Sequence, residues 1–444
     1  MKKGNKFVIA CAFIASLGGL LFGFDTAVIS GAEKTIQQLF HLDGFWHGFT
    51  VAIALIGTLI GALISGKPAD IMGRKKSLMV VAVLYTLSAL GSALSHSWIA
   101  FLVFRLLGGI AVGASSVIGP MYIAEISPAH LRGRLVASFQ LNIVGGILLS
   151  YFSNYWISHI VAVDSWRWML GVLSVPSVIF LILLFFIPDS PRWLVLKNRL
   201  SDAEGVLRRF GAVDPLNEIR EIEDSVSKKD GIKREYLFKK IYRMPIILAI
   251  LVAVFNQVSG INAIMYYAPR IFELVGYAKN SALLQSVSVG VTLFIFTILG
   301  TFLVDRVGRK KLLLVGAVGM TFFLGMVART IFTTTNGSIW MLIYLSGFIA
   351  FFAFSQGTVI WVFISEIFPN SIRAKGQTLG SFTHWTMSVI ISWMFPILAE
   401  SNAGGWAFSF FSVAMVLQFF IVLKFFPETK GKTLEQIQKE MISK

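Results

Sequence analysis

Three carboxamides, Asn256, Gln257 and Asn262, fall within seven consecutive residues, and the paired Tyr266 and Tyr267 follow one turn later. All five lie in an apolar run that starts near Met244 and is long enough to cross a bilayer. A carboxamide facing lipid is costly, so these side chains must face a watery cavity or another helix. Each amide both donates and accepts hydrogen bonds, which is what a neutral, hydroxyl-rich solute requires. Gly260 and Pro269 weaken the helix beside the amides, as suits a segment that bends as a gate. Hydrogen bonding between helices is the plainer reading of a lone intramembrane amide. Three amides beside two tyrosines favour a binding site.

Two charged residues lie deep in apolar runs, Asp25 in the first and Arg105 in the fourth. An intramembrane ionisable residue is a functional candidate by default. Arg105 lies roughly 10 Å from the outer end of its run, a depth similar to that of Asp25, so the two can pair. Pairing favours ionised Asp25, whereas separation with burial favours its protonated form. A change of conformation would then load and release a proton. A static ion pair that pins one helix to another is the alternative.

The composition dictates what positions these groups. Of 444 residues, 56% are hydrophobic and only 14% charged, and the apolar runs read as twelve spans. They cover residues 7–30, 47–66, 77–96, 98–121, 134–157, 167–187, 244–268, 283–304, 312–333, 338–365, 377–399 and 405–426. The first run follows Lys2, Lys3 and Lys6 but is longer than a secretory h-region, and it reads as a retained helix.

A net charge of +16 would suggest nucleic acid for a soluble protein. Here the placement of charge excludes that. With the N-terminus cytoplasmic, all but six of the 39 Lys and Arg residues lie in tails, inner loops or inner span ends. The six are Lys34, Arg105, Arg167, Arg270, Lys279 and Arg329. This asymmetry places both termini in the cytoplasm. Trp46, Trp98, Trp156, Trp166, Trp168, Trp340 and Trp406 stand at outer span ends as an interfacial belt, whereas Trp361, Trp385 and Trp393 lie within spans and need another cause.

The lone Cys11 forms no intrachain disulfide, and the six histidines, of which only His384 reads as lying away from the span ends and inside a span, show no metal-ligand spacing. Gly61 to Lys67 begins a phosphate-loop pattern, but Pro68 replaces the required Ser or Thr. No cofactor, metal or nucleotide is expected.

The chain is written twice. Asp70 and Arg74, after the second span, recur as Asp305 and Arg309 after the eighth, at an offset of 235. Glu125 and Arg132, after the fourth, recur as Glu366 and Arg373 after the tenth, at an offset of 241. Pro188-Asp189-Ser190-Pro191-Arg192-Trp193 closes the sixth span, and Pro427-Glu428-Thr429-Lys430 closes the twelfth. Repetition in order makes two parallel six-span halves, 1–187 and 244–444, expected to enclose a midplane site and rock about it. The fold class is therefore an all-α integral membrane protein of two pseudo-symmetric halves around a central cavity. Residues 188–243, with 13 basic and 10 acidic side chains and a helical stretch at Pro215–Ser227, form a cytoplasmic connector.

On these motifs the whole chain resembles the sugar porters of the major facilitator superfamily, similar to bacterial proton-coupled xylose symporters and animal facilitative glucose transporters. The doubled Asp-x-x-Gly-Arg-Lys loops indicate only the superfamily. Together with Pro188–Trp193, Pro427–Thr429 and Gln257–Tyr267 they are specific to the sugar branch. The resemblance implies import of a monosaccharide with a proton by alternating access across a plasma membrane, such as a bacterial inner membrane. Solute, proton and bilayer are then the partners. It assigns Gln140, Asn256, Gln257, Asn262, Trp361, His384 and Trp385 to the sugar pocket, and Phe22, Tyr266 and Tyr267 to its gates or walls. An acid at the Asp25 position marks symporters. It further implies an inner gate of ion pairs, with Glu125 and Arg132 meeting Arg309 and Asp305, and Glu366 and Arg373 meeting Arg74 and Asp70.

Three departures leave the sugar open among pentose, hexose and cyclic polyol. Asn256 replaces a usual Gln, His384 replaces Gln or Asn, and Thr358 replaces a common Pro, which is expected to stiffen the tenth span. A facilitative uniporter, a non-transporting sugar sensor and, less favoured, an integral-membrane enzyme are the competing readings. The enzyme reading suffers because the acids repeat at the rim rather than converge on one cavity.

Overall fold

In hydrocarbon a backbone can satisfy its polar groups only internally, so long apolar runs become helices. The computed structural model describes residues 3–230, 236–333, 338–369, 371–400, 403–432 and 436–437, and all regular structure among them is helical. The helices α1 (Lys3–Leu39), α2 (Gly44–Ile64), the short α3 (Gly66–Met72), α4 (Arg74–Leu94), α5 (Trp98–Ile126) and α6 (Ala129–Ile160) follow in turn. The sixth span consists of α7 (Ser165–Gly171) and α8 (Ser174–Leu184). The connector holds α9 (Pro191–Leu196), α10 (Leu200–Phe210) and α11 (Pro215–Asp230). The seventh span is α12 (Arg243–Val258) and α13 (Ile261–Leu274), followed by α14 (Lys279–Val307) and α15 (Arg309–Thr333). The tenth is α16 (Ile339–Phe354) and α17 (Gln356–Ile367), and α18 (Arg373–Glu400) and α19 (Gly404–Phe425) complete the set. Among the described residues twelve stretches are long and apolar enough to cross a membrane, the number the sequence implies.

The chain forms two compact units. The first comprises residues 1–26, 56–150 and 166–233. There α4 packs along α5 and against α8, and glycines let α2 and α5 touch backbone to backbone. A Cβ at Gly61 would lie 2.2 Å from the Ile110 carbonyl oxygen, which is how small residues join membrane helices. The connector is docked. Trp193, Leu194, Ala203, Leu207 and Ile219 form a small core among α9, α10 and α11, and the Trp193 indole donates to the Asp70 carbonyl at 3.0 Å.

The second unit comprises residues 27–55, 151–165 and 234–444. Here α15 packs on α19, α14 on α16 and α12 on α18. Two of its spans are broken. Gly260 adopts a left-handed φ of 83° between α12 and α13, and Tyr267 departs from helical geometry two residues before Pro269. The tenth span breaks at Ser355, with φ −107° and ψ −92°. Thr358 therefore does not stiffen it. The Thr358 hydroxyl donates to the Ala353 carbonyl at 2.8 Å across the break, taking up a backbone acceptor that the irregular turn frees.

At the start of α15 the Glu428 carboxylate, from the segment after α19, accepts from the backbone N–H groups of Arg309 at 3.0 Å and Lys310 at 3.2 Å. An acid there satisfies orphan donors and complements the helix dipole.

Gly260 is a position where the backbone demands glycine. A left-handed residue with a Cβ is disfavoured by about 1–2 kcal/mol, and the added carbon would sit 2.4 Å from Phe411. Gly260→Ala should lower the melting temperature of the detergent-solubilised protein by several degrees. An unchanged melting curve would show that the break at Gly260 is not needed for stability.

Candidate functional site

The left-handed turn at Gly260 brings the last turn of α12 and the first of α13 together, so the three amides meet although they span two helices. Asn262 Nδ2 donates to Gln257 Oε1 and to Ser388 Oγ on α18, both at 2.7 Å. Gln257 Nε2 donates to Asn256 Oδ1 at 2.9 Å and lies 3.3 Å from each ring nitrogen of His384. His384 and Ser388 are one helical turn apart and so share a face of α18. The imidazole stands between two indoles, 5.0 Å from Trp361 and 5.1 Å from Trp385, ring centre to ring centre. Trp361 is 38% exposed.

Amide, imidazole, hydroxyl and indole thus converge, each able to exchange a protein partner for a solute hydroxyl or an apolar ring face. Tyr266 and Tyr267 are buried, and the Tyr267 hydroxyl donates to the Ser392 carbonyl at 3.0 Å. Asn256, being shorter than Gln, is turned onto Gln257. Trp393 has its explanation as well: its indole donates to the Phe45 carbonyl at 3.0 Å and packs on Phe45 and Phe49.

In the first unit Asp25 and Arg105 pair at 2.8 Å, both almost wholly buried. Arg105 Nε and Nη2 and the Ser88 and Ser92 hydroxyls are buried without hydrogen-bond partners. Gly108 is what lets Ser88 approach: a Cβ there would lie 2.3 Å from Ser88 Oγ and 3.5 Å from Asp25 Oδ1. Phe22 and Gln140, half-buried on α1 and α6, belong to this unit too.

The rim charges form a motif that occurs twice. Arg74 contacts Asp70 at 3.2 Å and Glu125 at 2.9 Å, and Ser190 donates to Glu125 at 2.5 Å. Arg309 contacts Asp305 at 3.0 Å and Glu366 at 2.8 Å, and Thr429 donates to Glu366 at 2.6 Å. Within its own unit Glu125 thus meets Arg74, and within the other Glu366 meets Arg309. An arginine four residues after an Asp on the same loop is held in place to reach its own half's Glu. Arg132 donates to the Ser127 carbonyl at 3.4 Å, and Arg373 is half-buried with Nε and Nη2 unpartnered. The roles of Ser190 and Thr429 were missed, although both stand in the repeated motifs that close each half.

Also missed was a buried cluster of Glu33 on α1, His47 on α2 and Arg270 on α13. Hydropathy ends the first span near residue 30, whereas the helix runs to Leu39, and His47 is buried in the first turn of α2.

Residues 11–441 match the family model described as "Sugar (and other) transporter". The chain belongs to that family. It is 37% identical over 439 residues to the arabinose–proton symporter of Bacillus subtilis, covering 98% of this chain and 95% of the relative. To the D-xylose–proton symporter of Escherichia coli it is 36% identical over 475 residues, covering 98% and 96%. Among solved structures, the inward-open conformation of the xylose transporter XylE from E. coli superimposes with a TM-score of 0.87 at 35% identity, covering 98% of this chain and all of that one. This member of the sugar transporter family is a multi-pass membrane protein of the major facilitator fold, and a transporter rather than an enzyme.

For such a transporter the Asp25–Arg105 pair is also a structural liability. Removing one partner of a buried pair typically costs about 3–5 kcal/mol, because the other charge is left bare. Arg105→Met should destabilise the protein by that order, and adding Asp25→Asn should recover much of the loss in a double-mutant cycle. Strictly additive losses would mean that the two charges do not depend on each other.

Proposed function

We propose that the chain imports a monosaccharide together with a proton by alternating access. The observation that carries this reading is the sealed Asp25–Arg105 pair in a chain of sugar-transporter sequence. Two relatives named as proton symporters, for arabinose and for xylose, support it, and others named for glucose transport widen the substrate class to pentose or hexose. Sugar hydroxyls take over hydrogen bonds from Gln257, Asn262, Ser388 and His384, while Trp361 and Trp385 face the apolar side of the ring. Tyr266 and Tyr267 stand beside the amides, and Phe22 and Gln140, which the resemblance also assigns to the sugar, belong to the first unit.

Protonation of Asp25 removes the charge that Arg105 neutralises, so the protonated carrier has a different conformational balance from the unprotonated one. The driving force is ample: one charge crossing about 100 mV gains about 2.3 kcal/mol, enough for an accumulation on the order of 50-fold. The Arg–Glu–hydroxyl clusters around Arg74 and Arg309 hold the cytoplasmic loops and bias the inner gate. The placement of Lys and Arg supports cytoplasmic termini and an inner-membrane location.

Radiolabelled pentoses, hexoses and inositol should be offered to proteoliposomes with and without an inward proton gradient. Gradient-driven accumulation is expected for at least one sugar, and Asp25→Asn should reduce it to exchange. Equilibration indifferent to the gradient would make the chain a uniporter. Separately, Gln257→Ala should abolish sugar binding in titration calorimetry, and near-normal affinity would remove Gln257 from the site.

A further inference from the structure

We propose that His47 is a second proton-binding residue of the transport cycle, one that releases α13 when it is protonated. Glu33 and His47 are 2% and 0% exposed, and they meet Arg270 where α1, α2 and α13 come together. Arg270 Nη1 lies 3.0 Å from Gln37 Oε1, 3.2 Å from His47 Nδ1 and 3.3 Å from Glu33 Oε2. His47 Nε2 lies 2.7 Å from Glu33 Oε2.

These distances fix the protonation state of the ring. A guanidinium only donates, so Nδ1 must accept and carries no proton. The single imidazole proton is then on Nε2, which lies close to the Glu33 carboxylate without an aligned hydrogen bond. The cluster is closed by one anion, one cation and a neutral His47.

A second proton on His47 changes one contact and spares the other. Nε2–H still faces Glu33, but Nδ1–H now points at the Arg270 N–H groups, donor against donor and cation against cation. The tether that fails is the one to α13. At high pH the cluster is closed, and at low pH α13 is freed from α1 and α2.

The same elements bring up the other charged and titratable groups. Lys34 pairs with Glu273, and the Tyr267 ring stands edge-on to His47 at 5.9 Å between centres. The surroundings hold the imidazole in place, since a Cβ at Gly48 would lie 2.0 Å from the Trp393 carbonyl oxygen. A cavity of about 440 Å³, lined by Glu33, Lys34, Arg270, Glu273, Tyr277 and Lys279, adjoins the cluster and gives protons a route to it. Freed α13 carries Asn262, Tyr266 and Tyr267 with it, so the proton acts on the segment that bears part of the pocket. On the topology proposed above, the cluster faces the outer compartment, from which both the proton and the sugar arrive.

The inference rests on the symport reading for its purpose but not for its test. Spin labels on Gln38→Cys and Lys279→Cys, with Cys11→Ser, report the spacing of α1 and the start of α14 in the full-length protein in nanodiscs, without sugar or gradient. Between about pH 8 and pH 5, the range in which imidazole titrates, the distance distribution should shift to a longer population as pH falls. His47→Gln keeps an acceptor for Arg270 and an N–H beside Glu33 but takes up no proton; it should hold the high-pH distances throughout. Arg270→Gln, which removes the charge that protonated His47 repels, should also abolish the shift. Asp25→Asn should retain it. No shift in the parent protein, a shift that survives His47→Gln, or one lost in Asp25→Asn would each overturn the proposal. Uptake indifferent to a proton gradient, with the His47-dependent shift intact, would instead count against the symport reading alone.

Discussion

An arginine at 1% exposure inside an apolar helix bundle is tolerated only because Asp25 is beside it. The desolvation of two such ions is repaid only by close geometry. Much of the first unit is built to supply that geometry. Gly108 allows α4 and its Ser88 to approach the carboxylate, and Tyr85 and Ser115 hydrogen-bond to each other at 3.0 Å nearby. A pair so dependent on its setting is also one whose energy changes when either charge is neutralised.

The second unit meets the same constraint with neutral groups. Its amides, Ser388 and His384 satisfy one another where no water is guaranteed, yet none of these contacts is individually strong. A solute with several hydroxyls can therefore replace them at little net cost. The left-handed turn at Gly260 makes this possible, since an unbroken helix would send Asn256 and Asn262 to different faces.

The twelve spans, the doubled loops and the depth match of Asp25 with Arg105 were legible because hydropathy and charge placement report position across a membrane. Partner choice among repeated charges was not. Arg74 lies equally well in sequence for Glu125 or Glu366, and only the fold shows it against Glu125. Thr358 failed as a guide because Ser355, not a proline, carries the break. Glu33 escaped notice because a hydropathy profile ends a span at its first charges, whereas a buried cluster lets the helix continue to Leu39.

The carboxylate at the start of α15 has a bearing on biosynthesis. Glu428 lies 119 residues after the Arg309 amide it satisfies. At a synthesis rate of about 5–20 residues per second, that helix end waits roughly 6–24 s for its acid. Until then its first amides have only water or lipid headgroups to bond. The second half cannot finish its inner rim until the last span has been inserted and the chain has turned back, so its assembly is timed by the ribosome as much as by the energetics of packing.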